Sequence, residues 1–410
     1  TLRTNVALAF AETTHLLNAA LTQESDNASA RGALAQLWRS RLEDAERRGD
    51  AADTAHALAN LERYDDGNLA ALIRGDGRLT LTSHPPGAEV KIYRYEDRRG
   101  MLERGPSRPL GRTPLDPVAI PMGSYLCVLE KEGFAPVRYP VHVPRGERWE
   151  GDVRLFAPEE IGDDFAYVPA GPFVYGDGKD ARTIEVEDFV MQRFPVTFEE
   201  YLRFVAAVEA EEGLDAAIQR APQSKGDGLY AERGEDGVWR PLSKIIEGGM
   251  RTFCLEIYGE GFEKDIPVMS VSFDDAEAYC AWKARTTGQP WRLPTEEERE
   301  KAARGVDGRR YPWGDLTDAS LAKCRESRVH NAQPEPAGAF EAATSVYGMV
   351  DAVGGMWEWT SSFFDERRSL RTLRGGAWGS PPVAITATRR IGSQPAVRSP
   401  IYGFRPVRSL

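Results

Sequence analysis

The side chains best suited to chemistry in this chain are four cysteines, which could act as nucleophiles, redox partners or metal ligands. They are widely spaced, at Cys127, Cys254, Cys280 and Cys324. No pair has the spacing of a zinc knuckle or of a redox dithiol motif. Cys127 lies in a strand-like apolar run, where a buried, unreactive thiol is the expectation. The cysteine spacing therefore predicts no metal or redox centre.

The histidines are equally scattered. His15 and His56 stand alone in helical segments, and the others fall in a turn, a strand and a loop at His84, His142 and His330. Histidine is a common metal ligand, but a metal site needs several ligands that converge. We therefore expect no metal and no other cofactor, with calcium as the one alternative considered below.

The densest group of acids has a structural explanation. Thr295 followed by Glu298 forms a capping box at the start of a predicted helix. Glu296 and Glu297 suit the positive end of the same helix and need no catalytic role.

Size and charge limit the function classes. A chain of 410 residues is long enough for two or three domains. Its net charge of −11 argues against a nucleic-acid partner, which would need a basic face. No apolar run reaches the ~18 residues of a membrane helix, and no signal segment is recognisable, so we expect no membrane insertion. Because the chain opens with Thr1, we expect a processed protein or a piece of a longer one.

Residues 1–75 are predicted to be helical. A stripe at helical spacing is formed by Val6, Leu8, Phe10, Leu16, Leu17 and Leu21. Asp26-Asn27 is an expected N-cap for a second helix. The pattern is similar to tetratricopeptide hairpins, but about three repeats are needed for a stable solenoid. A helical stalk is therefore favoured.

Residues 78–156 change to short alternating strands between Pro/Gly turns, which is typical of a small antiparallel β-sandwich. The region resembles the PEGA domain, named for a Pro-x-Gly-Ala turn, here at residues 85–88. The phrases Gly111-Arg112-Thr113-Pro114 and Lys131-Glu132-Gly133-Phe134 also fit that family. The resemblance implies an interaction module without chemistry.

After a linker at 157–164, residues 165–410 carry a series of phrases in order. They include Ser272-Phe273-Asp274-Asp275-Ala276, Arg292-Leu293-Pro294-Thr295-Glu296, Tyr311-Pro312-Trp313-Gly314-Asp315, Gly354-Gly355-Met356-Trp357-Glu358-Trp359, Leu373-Arg374-Gly375-Gly376-Ala377-Trp378 and Gly403-Phe404-Arg405. This series resembles the formylglycine-generating enzyme (sulfatase-modifying factor) superfamily. The resemblance implies an α+β fold with a C-type lectin-like domain. Residues 211–264 match no family phrase, and such long insertions are usually functional or disordered.

The resemblance also implies where the oxidase members hold copper, on two cysteines after the Gly-Gly turn. The corresponding positions here fall near Ser380 and Ile385, and no cysteine follows Cys324. Thiolates select Cu(I), and neither replacement is a thiolate. We therefore expect no enzyme activity, with copper-dependent cysteine oxidation as the alternative. The partner of Cys280 in secreted members is replaced by Pro406, so a reducing, cytoplasmic location is expected.

Calcium is the closer alternative. The family binds it at a Gly-Asn-x-Trp-Glu-Trp turn, and here Gly355 replaces the asparagine while Glu358 and Asp351 remain. Calcium needs six to eight oxygen ligands. Instead of a calcium site, we favour the alternative that Glu358 and Asp351 are buried carboxylates that accept backbone hydrogen bonds.

The remaining hypothesis is a ligand-binding surface on the face where the oxidases carry their active site. It comprises Trp378, Ser380, Thr386, Thr388, Arg389, Arg390, Ser393, Gln394, Arg398 and Tyr402. Aromatic and Arg residues are enriched in recognition surfaces. The expected partner is a protein or a small ligand.

The domain order resembles the C-terminal half of some bacterial Ser/Thr kinases, which favours a signalling role. A finer alternative is a variable protein of a diversity-generating retroelement, and a third is a structural spacer. The arginines of the family phrases (Arg292, Arg304, Arg374 and Arg405) are expected to form structural ion pairs.

Overall fold

A computed structural model describes residues 2–47, 50–224, 226 and 228–410. Ten α-helices are assigned within these residues: α1 (Leu2–Gln23), α2 (Ala28–Arg47), α3 (Ala51–Tyr64), α4 (Ala70–Arg74), α5 (Pro158–Ile161), α6 (Phe198–Glu212), α7 (Leu214–Arg220), α8 (Gly248–Tyr258), α9 (Phe273–Thr287) and α10 (Glu296–Arg304). The predicted α+β class is confirmed.

The strands fall into a first group before residue 155 and a second group after it. The first group is β1 (Asp76–His84), β2 (Glu89–Arg98), β3 (Met101–Arg112), β4 (Leu115–Pro121), β5 (Gly123–Glu130), β6 (Val137–Val143) and β7 (Arg148–Arg154). The second group is β8 (Phe165–Val168), β9 (Gly171–Tyr175), β10 (Arg182–Val186), β11 (Phe189–Gln192), β12 (Gln223–Ser224), β13 (Gly228–Leu229), β14 (Ala231–Arg233), β15 (Trp239–Pro241), β16 (Trp291–Arg292), β17 (Trp357–Phe363), β18 (Arg371–Arg374), β19 (Arg390–Ser393), β20 (Tyr402–Phe404) and β21 (Val407–Ser409).

Two compact units divide the chain. The first contains Thr1–Thr80, Pro117–Gly123 and Val143–Trp149, and the second contains Leu81–Asp116, Ser124–His142 and Glu150–Leu410. The candidate site lies wholly in the second unit.

The N-terminal helices pack around a small core of their own. Asn27 accepts a hydrogen bond from the Ala30 backbone at 2.9 Å, which confirms the expected cap of α2. Leu34 and Leu61 are fully buried in this core. The predicted stripe on α1 is only half right, because Val6, Leu8 and Leu16 are exposed while Phe10, Leu17 and Leu21 pack on α2 and α3.

The first group of strands forms two sheets, in the orders β4-β1-β7 and β3-β2-β5-β6. Strand β2 pairs antiparallel with both β3 and β5. Two of the phrases quoted for residues 78–156 meet here, because the Thr113 hydroxyl accepts hydrogen bonds from the backbones of Gly87 and Ala88, at 3.1 and 3.0 Å. The Gly-Arg-Thr-Pro phrase therefore braces the Pro-x-Gly-Ala turn.

The C-terminal region is built on two four-stranded sheets, in the orders β16-β21-β11-β8 and β19-β18-β17-β20. Strand β20 runs parallel to β17, which brings the end of the chain beside the Trp357–Trp359 phrase. Capping boxes begin α6 at Thr197, α9 at Ser272 and α10 at Thr295. These boxes satisfy backbone N–H groups that the helix start leaves unpaired.

The insertion at 211–264 is ordered in its described part, contrary to one of the two expectations for it. It contains α7, α8 and the hairpins β12–β13 and β14–β15. Its apolar side chains, including Tyr230, Trp239, Ile246 and Met250, are buried in the same core as α6 and α9. Burial of that much apolar surface is what keeps this segment folded.

Candidate functional site

The face of residues 378–402 begins at a turn that strongly favours glycine. Gly375 and Gly376 have φ of +101° and +78°, a region that L side chains rarely adopt. A Cβ on Gly376 would also lie 2.7 Å from a side-chain carbon of Ile385. The turn carries the chain from β18 into the segment that leads to β19 and β20.

Trp378 and Tyr402 form the central pair of this face. The Trp378 backbone N–H donates to Gly355 O at 2.7 Å, and its indole N–H donates to Pro400 O at 3.3 Å. The Tyr402 ring packs edge-on against Trp359, with centroids 5.3 Å apart. Both side chains are half-buried on the main core, so they contribute to folding as well as to the surface.

Arg398 is held by the neighbouring segment. Its guanidinium contacts Asp275 at 2.7 Å and donates to Gln219 O at 2.6 Å. The Arg398 side chain is 19% exposed and Asp275 is 2% exposed. This arginine therefore fastens the loop to the start of α9 and to the end of α7.

The hydroxyls and the next arginine form a second group. Thr386 lies beside Thr388, with 3.2 Å between their oxygens, and Thr388 donates to Asp177 at 3.0 Å. Arg390 contacts Glu296 at 3.3 Å and lies over the Phe364 ring at 4.8 Å.

Few of the ten predicted side chains are open to solvent. Arg389 and Gln394 are exposed, Thr386 and Ser393 are buried, and the others are half-buried. Two apolar side chains that the prediction omitted, Val383 and Val397, are exposed on the same segment. Sequence alone could not separate these classes, because neighbouring residues in an irregular segment point in opposite directions.

The residues at the expected copper positions do not fit copper. Ser380 Oγ accepts the Ala377 backbone N–H at 3.2 Å, and Ile385 is buried beneath the Gly376 turn. A hydroxyl and an alkyl group offer no soft ligand to Cu(I).

None of the four cysteines supplies a substitute. All four are free and buried. Burial raises the pKa of the Cys127 and Cys280 thiols to about 12 and that of Cys254 to about 11. Burial also raises the pKa of Cys324. A thiolate is both the nucleophile and the metal ligand, so each thiol is held in its inert form.

Glu358 lies in the turn that the family resemblance associates with calcium. Its partners are arginines rather than the expected backbone N–H groups. Arg299 Nε donates to it at 2.7 Å and Arg405 Nη2 at 3.0 Å. Burial alone would raise the pKa of Glu358, but the two arginines outweigh it and hold that pKa below its usual value. Two fixed positive charges on one carboxylate leave it unsuited to calcium.

The cavity beside this turn also contains its own cation. It has a volume of about 20 Å³ and is lined by Lys323, Glu335, Asp351 and Glu358 among others. Lys323 Nζ contacts Glu335 at 2.7 Å, and Arg328 contacts the same carboxylate at 3.0 Å. The residues present therefore do not fit calcium. Across the described ranges, no group of three or more His, Cys, Asp or Glu is arranged to hold a metal.

The arginines of the family phrases form the expected ion pairs. Arg292 contacts Glu298 at 2.7 Å, Arg304 contacts Glu300 at 2.9 Å, and Arg374 contacts Glu300 at 2.7 Å. Since Glu300 and both of its arginine partners are at most 2% exposed, these pairs belong to the buried framework beneath the face.

None of the described helices combines the length and apolar composition that a bilayer-spanning segment needs.

Comparison with known proteins gives three informative similarities. The chain is 30% identical to "Inactive C-alpha-formylglycine-generating enzyme 2" of Mus musculus, over 58% of this chain and 83% of that protein. It is 32% identical to "Hercynine oxygenase" of Mycolicibacterium smegmatis, over 58% of this chain and 59% of that protein. The structure of Treponema denticola variable protein 1 matches 60% of this chain and 94% of that one, at 16% identity and a TM-score of 0.42. A TM-score that low adds no argument, so the assignment rests on sequence.

The sequence model of the "Sulfatase-modifying factor enzyme 1-like domain" matches residues 154–410. This match covers more than half of the chain and includes the Gly-Gly turn, the tryptophan phrase and the face built on them. It confirms both the predicted family and the predicted fold class. The chain belongs to the sulfatase-modifying factor (formylglycine-generating enzyme) family.

Proposed function

We propose that this protein is a non-catalytic binding protein that presents a recognition surface on the scaffold of its family. One observation carries the proposal: the fold itself uses Ser380 and Ile385, near which the copper ligands of the oxidases are expected. The similarity to a protein named inactive supports the same conclusion. The partner is a protein or a small ligand.

The recognition surface that we propose is the face of residues 378–402. Its exposed members are the ones to contact a partner first, namely Val383, Arg389, Gln394 and Val397. Half-buried Thr388, Arg390 and Tyr402 border them, while Trp378 and Arg398 hold the segment in place. A mixture of Arg, aromatic and small polar residues on a fixed backbone is typical of such surfaces.

Copper binding tests the non-catalytic half of the proposal. The purified chain is titrated with Cu(I) against a competing chelator, with a formylglycine-generating enzyme as the positive control. We expect no stoichiometric copper on this chain. Retention of one copper per chain, lost on replacing Cys280 or Cys324, contradicts the proposal.

The surface itself is tested by affinity capture with matched variants. Arg389→Ala combined with Gln394→Ala removes two exposed side chains and keeps the backbone hydrogen bonds that Arg389 N–H and Gln394 O make. Arg367→Ala, an exposed arginine outside the face, is the control. We expect that a partner captured by the parent is lost in the double variant and kept in the control. Equal capture by both variants places recognition elsewhere.

An oxygen-dependent enzyme is the second candidate, because one relative is named an oxygenase. The five histidines of this chain are dispersed along the sequence, which argues against a histidine-ligated metal centre. Oxygen consumption with a thiol substrate separates the two candidates.

A finer proposal is that residues 378–402 are diversified by a retroelement. The fixed Gly-Gly turn and buried core leave exposed side chains free to vary. A reverse transcriptase gene beside a mutated copy of these codons supports it, and their absence contradicts it. A signalling role beside a bacterial Ser/Thr kinase is proposed on domain order alone. A reducing, cytoplasmic location is proposed because Pro406 stands where secreted members carry the partner of Cys280.

A further inference from the structure

One large groove is lined by none of the predicted site residues. It has a volume of about 910 Å³, within the range of small-molecule sites. Its lining comes from β2, β3 and β6, from the end of β11, and from the loops around residues 309–313 and 337–350. The groove shares no residue with the face of 378–402, so binding at the two surfaces can be tested independently.

Four arginines line this groove, and three of them have no carboxylate partner. Arg309 is paired with Asp307 at 2.6 Å. Arg104, Arg138 and Arg193 form no ion pair with any residue in the described part of the chain. The chain as a whole carries 63 acidic against 52 basic residues, so acids are in excess. Arg193 Nε donates to the neutral Gly348 O at 3.3 Å. Three arginines without a carboxylate partner on one groove are therefore a local reversal of the chain's charge.

Arg138 is the most constrained of the three. Its Nε is buried and has no hydrogen-bond partner. Burial lowers the pKa of Arg138, and the neighbouring charges of Arg104 and Arg193 lower it further. A buried unpaired donor beside like charges costs stability, which an anion at this position would recover.

One further acid lines the groove and another lines a neighbouring cavity, and neither neutralises the three arginines. Glu341 lines the groove but is exposed, and Asp163 lines a neighbouring cavity that Arg138 also borders. Neither acid forms an ion pair with the three arginines among the described residues. The positive charge therefore remains open to a ligand.

Aromatic side chains make up the rest of the recognition chemistry. Tyr95, Phe194 and Trp313 line the groove. Trp313 is stacked on Tyr311 and donates its indole N–H to Leu316 O at 2.8 Å, so its position is fixed. An organic group could pack on these rings while its charged end faces the arginines.

We propose that this groove binds an organic phosphate monoester. Guanidinium groups match phosphate oxygens in bidentate geometry, and a phosphate monoester carries about −1.5 to −2 charges on three oxygens. A single carboxylate offers one charge and two oxygens, which is too few for three arginines. The organic part would lie against Tyr95, Phe194 and Trp313. A small phosphorylated molecule and a phosphorylated peptide share this chemistry.

Calorimetry with three probes tests the proposal on the full chain. The probes are inorganic phosphate, phenyl phosphate and a short phosphotyrosine peptide. We expect phenyl phosphate to bind at least ten-fold more tightly than inorganic phosphate, because only the ester contacts the rings. A further gain with the peptide identifies a peptide source, and equal or weaker binding identifies a small molecule. If none of the three probes binds saturably at millimolar concentration, the proposal is wrong.

Matched variants connect binding to the named residues. Arg138→Gln and Arg193→Gln should each weaken the binding of phenyl phosphate about ten- to a hundred-fold. The control Arg367→Gln should leave that affinity unchanged. Without ligand, Arg138→Gln should leave the melting temperature unchanged or raise it, because it relieves repulsion. Unchanged binding by Arg138→Gln, or a marked fall in its melting temperature, contradicts the proposal.

Discussion

Replacing Glu358 by Gln gives the sharpest test of how this fold is held together. Glu358 is 2% exposed, and its partners Arg299 and Arg405 are 1% and 0% exposed. The change keeps the size of the side chain but leaves two buried guanidinium groups without a counterion. Removing one member of a buried ion pair costs about 3–5 kcal/mol. For a domain of this size, 3 kcal/mol lowers the melting temperature by roughly 6–12 °C.

The control is Glu199→Gln, which breaks the exposed pair of Glu199 with Arg203 on α6. Such a helical surface pair contributes only about 0.3–0.5 kcal/mol. Both variants are unfolded in urea, with and without a calcium chelator. We expect a large loss for Glu358→Gln, a negligible one for Glu199→Gln, and no effect of calcium on either. A loss below about 1 kcal/mol for Glu358→Gln, or stability that follows calcium, refutes the reasoning.

Three further predictions concern Arg398, Asp351 and the thiols. Arg398→Ala should destabilise the domain by about 2 kcal/mol, because Asp275 loses a charged hydrogen bond. If the variant unfolds in urea as the parent does, Arg398 does not stabilise the fold. Burial raises the pKa of Asp351 to about 6, so the folded state holds this proton more tightly than the unfolded chain does. The resulting stability is fully present below about pH 4 and is lost as pH rises through about 6. Asp351→Asn, which can still accept the Gly338 N–H, should match the parent at about pH 4 and exceed it by up to about 3 kcal/mol at about pH 7.5. If Asp351→Asn and the parent are equally stable at both pH values, the expected shift in the Asp351 pKa is contradicted. All four thiols should react with iodoacetamide only after unfolding, because burial suppresses their thiolate forms. Rapid alkylation of a thiol in the native protein, detected by mass spectrometry, argues against the burial of that thiol.

The sequence was most informative where local rules decide the structure. The capping box at Thr295 and Glu298 forms as expected, because its partners are three residues apart. The pairing of Arg374 with acids was also anticipated, although the particular partners Glu296 and Glu300 were not. Such pairs join separate elements, so only the folded chain identifies them.

The sequence was least informative where distant segments meet. Arg104, Arg138 and Arg193 come from three different strands or strand ends, and no motif links them. The partners of Glu358 were missed for the same reason, since Arg299 is 59 residues away along the chain and Arg405 is 47. Within the insertion, the buried Tyr230 and Trp239 were the available signal for order, because exposed loops rarely carry such large apolar side chains.

The central claim is that this family member binds but does not oxidise. Its most direct test is mass spectrometry of a cysteine-containing substrate peptide incubated with the copper-supplemented protein under oxygen. A formylglycine-generating enzyme run in parallel shows that the assay works. We predict that the peptide cysteine stays unconverted at every concentration of this protein. Conversion of that cysteine to formylglycine, increasing with the amount of this protein, would contradict it.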